Sequence, residues 1–311
     1  MMGEMALNSL MLWLLFFIFI LGAAGYDLFR LGGRKKEMGL REAGLWTVAW
    51  ITLAIVFGIL IFFIQGGDDA LDYFTAYLLE KSLSLDNLFV FLVIFSYFDL
   101  GFLSQQKVLK WGILGAFLMR AIFIFGGIWL LQTFRFLFYF FGAFLIFSAF
   151  KLLVQKEEKI DPQKNLFLRF VRKILPLSPS QENRFFIRGG LERGFTTLFL
   201  VLLLIESSDL VFALDSVPAV LAVTQNPFLA YTSNGFAILG LRALYFFLIG
   251  FLPKFIYLKK GIVILLAFIG TKMLLSDLVH IRSIYSLIIV FIIIVVSIIL
   301  SLVRKQPVLE T

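Results

Sequence analysis

Two short stretches of this sequence place acids where acids are costly. "EKSLSLDN" at 80–87 sets Glu80, Asp86 and Asn87 between "DYFTAYLL" and "LFVFLVIF". "SDLVFALDSVPA" at 208–219 sets Asp209, Asp215 and Ser216 in an equally apolar run, and Glu206 lies just upstream. Laid over one another without gaps, Glu80 falls on Asp209, Leu85 on Leu214, Asp86 on Asp215 and Asn87 on Ser216. An unpaired carboxylate at the centre of a bilayer costs roughly 2.5–3.5 kcal/mol. Four of them need protons, arginine partners or a cation held between them. Carboxylate, amide, hydroxyl and carbonyl oxygens form a hard ligand set that suits Mn2+, Ca2+ or Mg2+. Zinc, copper and nickel recruit cysteine or histidine, and this chain has no cysteine and a single histidine. That histidine, His280, reads as a loop residue and not as a ligand, and no organic cofactor is expected.

Helix geometry constrains how such acids work together. Positions 80 and 86 of an ideal helix lie about 120° apart with about 9 Å of rise, so they cannot chelate one ion from a straight helix. Either the helix is interrupted between them or ligands come from both motifs. Ser82 and Ser84 can bond backbone carbonyls and loosen a turn, and Pro218 removes a helical hydrogen bond in the second motif. The arrangement favoured by the spacing has Asp86 and Asp215 facing each other at the centre, Glu80 toward the outer side and Asp209 toward the inner side. The competing reading makes the acids and two intramembrane arginines, Arg120 and Arg242, into buried ion pairs that only fix helix packing. It accounts for one acid per motif and leaves the second, with Glu206, unexplained.

The elements that carry these residues follow from composition. Of 311 residues, 61% are hydrophobic, 15% are charged and 39 are Phe, far from the roughly one-quarter charged composition of soluble domains. Nine apolar blocks are long enough to span a bilayer: about 8–26, 42–64, 72–98, 107–131, 134–153, 194–224, 232–252, 258–277 and 284–303. Lipid offers open backbone groups no partner, so the blocks read as helices. The expected fold class is an all-α membrane protein of about nine transmembrane helices. Basic residues gather in alternate loops: Arg30 to Arg41, Lys107 and Lys110, the 151–193 segment, Lys254 to Lys260, and Arg304 with Lys305. Under the positive-inside rule this predicts an external N-terminus and a cytoplasmic C-terminus. The net charge of +8 then reflects loop bias and contact with lipid head groups, and no nucleic-acid partner is implied. The first block lacks a positive n-region and does not read as a cleaved signal.

The similarity between the motifs extends into the following blocks. "MRAIFIFGG" at 119–127 resembles "LRALYFFLIG" at 241–250, matching Arg120 with Arg242, and "FSAFKLLV" resembles "FIGTKMLL", matching Lys151 with Lys272. Helices 3–5 and 6–8 thus form a repeat, and the odd number of crossings inverts one copy, as in many secondary transporters. The predicted organisation has two peripheral helices in 1–70, the first repeat in 71–154 and a basic cytoplasmic linker in 155–193. The second repeat occupies 194–280, and a last helix with a short tail occupies 281–311. "NLFLRFVRKIL" in the linker reads as an amphipathic helix.

At "EKSLSLDNLFVF", "SDLVFALDSVPAVLAVTQNPF" and "TSNGFAILGLRALYF" the chain resembles the TerC family of integral membrane proteins, named for tellurium resistance, over about residues 70–280. The resemblance implies an exporter built from three-helix inverted repeats. Manganese efflux is associated with bacterial members, which implies a plasma-membrane location. The motif acids it carries over are Glu80, Asp86, Asp209 and Asp215, with Asn87, Ser216 and Asn234 as neighbouring polar positions. Other members are tied to tellurite stress and membrane-protein assembly. The expected function is export of Mn2+ through an acidic midplane site, driven by proton exchange. The alternative is a non-transporting scaffold in a stress-response or assembly complex. No nucleophile–base constellation points to an enzyme.

Overall fold

A computed structural model describes residues 2–26, 38–134, 136–154, 184–187, 194–249, 257–278 and 281–303. In chain order its elements are α1 (Met2–Tyr26), α2 (Leu40–Gln65), α3 (Gly67–Tyr97), α4 (Phe102–Thr133), α5 (Phe136–Val154), β1 (Phe186–Ile187), β2 (Gly194–Phe195), α6 (Thr197–Leu221), α7 (Pro227–Ile238), α8 (Leu241–Leu248), α9 (Leu258–Leu274) and α10 (Ser283–Val303). Among the described residues, α2, α4, α5, α6 and α10 are long and apolar enough to cross a membrane by length and composition. Their outward faces carry large apolar side chains such as Phe63, Ile122 and Trp129, as faces turned to lipid do. This is an all-α integral membrane protein with several passes.

Helix α3 is too charged to qualify by hydropathy, yet it lies at the centre, packed against α2, α6, α7 and α10. It follows α2 after one residue, Gly66, whose φ of 109° permits the reversal. Tyr73 then ties the hairpin by donating its hydroxyl to the Ala54 carbonyl at 3.1 Å. Helix α4 packs against α6 and α7, and α5 against α9. The last pair closes at two glycines: a Cβ on Gly142 would lie 3.1 Å from the Gly270 carbonyl, and one on Gly270 would lie 2.7 Å from the Gly142 carbonyl.

Three sequence expectations are revised. Of the two alternatives left by the spacing, an interruption between Glu80 and Asp86 is not the one adopted, since α3 is helical throughout, and α6 also runs on through Pro218. The break falls instead in the seventh apolar block, where α7 stops at Ile238 and α8 restarts at Leu241. The sixth block begins later than expected because residues 194–195 pair with 186–187 as a two-stranded ladder. Thr196 then caps α6 by accepting from the Phe199 N–H. The amphipathic stretch at 165–175 and His280 lie outside the described residues.

Candidate intramembrane cation site

Seven residues advance a helix by nearly two whole turns, so residues i and i+7 share a face. Glu80 and Asn87 are such a pair on α3, and Asp209 and Ser216 are the equivalent pair on α6. All four are buried. The helices cross so that Asn87 meets Asp209, its amide donating to Oδ1 at 3.2 Å. At the other end of the two faces, Glu80 and Ser216 are joined through one residue of α4, Arg120. One guanidinium nitrogen pairs with Glu80 Oε1 and reaches Ser216 Oγ at 3.3 Å. The other pairs with Asp209 Oδ1 at 3.2 Å. Ser84, one turn from Glu80, donates to the same Glu80 oxygen at 3.4 Å.

A guanidinium that is 1% exposed and two carboxylates are thus taken out of water together. Burial of any one alone would cost several kcal/mol, and the mutual attraction and hydrogen bonds offset it. The compensation is incomplete. Glu80 Oε2, Asp209 Oδ2 and Asn87 Oδ1 are buried without a hydrogen-bond partner. Two of these belong to carboxylates whose other oxygen is engaged by Arg120, and the third belongs to the amide that touches Asp209. The cluster therefore holds three unused hard oxygens beside a resident cation.

The remaining expected residues are dispersed around this cluster. Glu80 and Asp209, expected toward opposite membrane faces, stand within reach of one guanidinium. Asp215 faces α5, where the Ser148 hydroxyl donates to its Oδ1 at 2.7 Å. Asp86 belongs to the helical backbone of α3, and its side chain lies outside the described residues. Glu206 seats its carboxylate over Gly115 of α4, where any Cβ would collide with it, and its Oε2 has no partner. Asn234 is buried in α7 with both amide atoms unbonded. Arg242 is buried in the first turn of α8, and Lys272 is half-buried in the last turn of α9. Among the described residues, no three His, Cys, Asp or Glu side chains converge as a cage. The i, i+7 spacing of Glu80 with Asn87 and of Asp209 with Ser216 was available in the sequence as the signal for the shared faces. The i, i+6 spacing of the acids draws attention away from it.

Residues 65–308 match the Integral membrane protein TerC family. The chain belongs to the TerC family. An uncharacterized membrane protein of Myxococcus xanthus is 41% identical over 296 residues, covering 95% of this chain and 93% of that one. A protein of Escherichia coli K12 with the provisional name membrane-bound redox modulator Alx is 40% identical over 301 residues, covering 94% of each. An uncharacterized membrane protein of Rickettsia bellii is 36% identical over 297 residues, covering 95% of this chain and 98% of that one. No solved structure matches. The TerC likeness is wider than the motif blocks suggest. It takes in the last helix, and the relatives' coverage extends it to the N-terminal helices.

Proposed function

We propose that this TerC-family protein is a secondary transporter of the bacterial plasma membrane that exports a divalent metal ion, Mn2+, by proton antiport. The single observation that carries the reading is the Glu80–Arg120–Asp209 cluster with its three unpartnered oxygens. Two equivalent motifs supply equivalent ligands there, and a positive side chain stands where a cation would stand. In the empty state Arg120 neutralises one of the two carboxylates' charges. An arriving metal takes Glu80, Asp209 and the Asn87 oxygen, and the guanidinium withdraws toward Ser216. Asp86 and Asp215 supply further anionic oxygens on the path, and Glu206 lies one turn from Asp209. Protons that load these acids as the metal leaves complete the exchange without leaving bare charge in lipid.

The packing supports the repeat, which the proposed topology of nine spans with an external N-terminus inverts. If helices 3–5 map onto 6–8, then α3 packing on α7 corresponds to α6 packing on α4, while α3 with α6 and α5 with α9 map onto themselves. The Glu80–Ser216 end of the cluster maps onto the Asp209–Asn87 end in the same way. The hard oxygen set suits Mn2+, Ca2+ and Mg2+ alike, and the family resemblance favours Mn2+ among them.

A second reading, a scaffold in a tellurite or metal stress response or in membrane-protein assembly, is favoured by one feature. Arg120 binds α3, α4 and α6 together through carboxylates, as structural glue would. A redox role of the kind in the Alx relatives' name would not use thiols of this chain, which has no cysteine. It would follow from the cellular level of the exported metal. Everted vesicles separate the readings: the wild type is expected to accumulate Mn2+ in a proton-gradient-dependent manner and to rescue exporter-deficient cells from Mn2+ toxicity. Asp86→Asn and Asp215→Asn should each abolish rescue while the protein still folds. A folded wild type that moves no Mn2+ would reject the transport of that ion.

A further inference from the structure

Helix α3 carries a single basic side chain, and the acidic cluster does not use it. Lys81 follows Glu80 in sequence, but its position points about 100° away around the helix. Its half-buried ammonium donates to the backbone carbonyl of Ala237, on α7, at 3.1 Å. In an unbroken helix that carbonyl would accept the Leu241 N–H, and the Phe236 carbonyl would accept the Gly240 N–H. The break removes both bonds. The Leu239 N–H closes α7 on Gly235 at 3.0 Å, and helical bonding resumes only with the Leu244 N–H on Gly240 at 2.8 Å.

The break is built in and not a chance distortion. Gly240 has φ +80°, and a Cβ there would meet the Trp50 indole at 2.6 Å. Ala237 is itself fully buried, and a bare carbonyl away from water costs about as much as a lost hydrogen bond. Lys81 supplies the missing donor and brings a positive charge to a helix C-terminus, which carries partial negative charge. Exposed carbonyls at broken transmembrane helices are positions where inorganic cations are held. Here a tethered ammonium stands in such a place.

We propose that the break between α7 and α8 is a cation-binding position filled by the protein's own Lys81 ammonium, and that a small monovalent cation, Na+ or K+, takes it when Lys81 is removed. The position is separate from the acidic cluster: Glu80 goes to Arg120 and Lys81 goes to α7. The native protein therefore needs no alkali cation to complete the break. On the transport reading, its cargo cycle runs without regard to Na+ or K+. The binding claim itself does not depend on that reading.

The test uses the full-length purified protein, with its unfolding midpoint measured in chloride salts of N-methylglucamine, Na+ and K+ at equal ionic strength. The wild type should show the same midpoint in all three. Lys81→Ala and Lys81→Met should unfold earlier in N-methylglucamine. Na+ or K+ at a tenfold excess over its dissociation constant should restore about 2 °C. Lys81→Arg, which keeps a charge, should stay indifferent to the salt. The proposal is overturned by a wild type that already responds to Na+ or K+, or by a salt-dependent Lys81→Arg. It is equally overturned if the Ala and Met variants are indifferent to the cations or fail to fold in every salt. Because no divalent metal enters the measurement, a failure here is distinct from a failure of Mn2+ export.

Discussion

Helix α4 and the α7–α8 pair descend from matching sequence and end in different shapes. Each carries a buried arginine, Arg120 and Arg242, in the similar contexts "MRA" and "LRA". Helix α4 is continuous over 32 residues, with Arg120 past its middle. The other copy is cut two residues before its arginine. The two copies differ at that point, with Leu118 in α4 and Gly240 in the second copy. A leucine resists positive φ, whereas a glycine adopts it freely. One arginine is thus presented from the flank of a rigid rod, where it spans two carboxylates. The other is buried in the first turn of a half-helix, just after the break. A near-symmetric sequence yields one clamp for acids and one seat for a cation.

Removing the clamp should give the largest effect. Arg120→Leu leaves Glu80 and Asp209 buried without their counter-charge, and a loss of about 3–5 kcal/mol in unfolding free energy is expected. Adding Glu80→Gln to that variant should recover part of the loss, and a strictly additive pair of changes would contradict the ion pair. Next come the unpaired oxygens. Glu80→Gln and Asp209→Asn should weaken Mn2+ binding, measured by titration calorimetry, by at least the ~10–100-fold typical of losing an outer-shell partner of a metal site. Equal affinity in both variants and the wild type would place the metal elsewhere.

Restoring the second copy to the shape of the first is the third test. Gly240→Ala forces a side chain into positive φ and against Trp50, at a cost of about 1–3 kcal/mol. The reverse change, Leu118→Gly on the lipid-facing side of α4, should cost only about 1 kcal/mol and leave that helix whole. If Gly240→Ala proves neutral in thermal unfolding, the left-handed residue does not maintain the break. Ser148→Ala, which removes the hydrogen bond to Asp215 outside the clamp, should have the smallest effect, about 1 kcal/mol. It should leave Mn2+ affinity at the Glu80–Asp209 cluster unchanged.

The all-α membrane class and the TerC family are legible in the sequence. Composition and apolar block length depend on the surrounding lipid and not on which helix touches which. The matched motifs were legible for the same reason, as was the face shared by Glu80 with Asn87 and by Asp209 with Ser216, which is a property of local helical pitch. What lay beyond the sequence was set by contacts between distant positions. Arg120 lies 40 residues from Glu80 and 89 from Asp209, and only the antiparallel crossing of α3 and α6 against α4 brings them together. The pairing of Asp215 with Ser148 of α5 is decided in the same way. Gly240 is one of 24 glycines, and nothing local marks it as the one that breaks a helix. Trp50 on one side and Lys81 on the other single it out, and both come from other helices. Local pitch and lipid solvation can be read along a chain, whereas the partner of a buried charge depends on the packing of helices far apart in sequence.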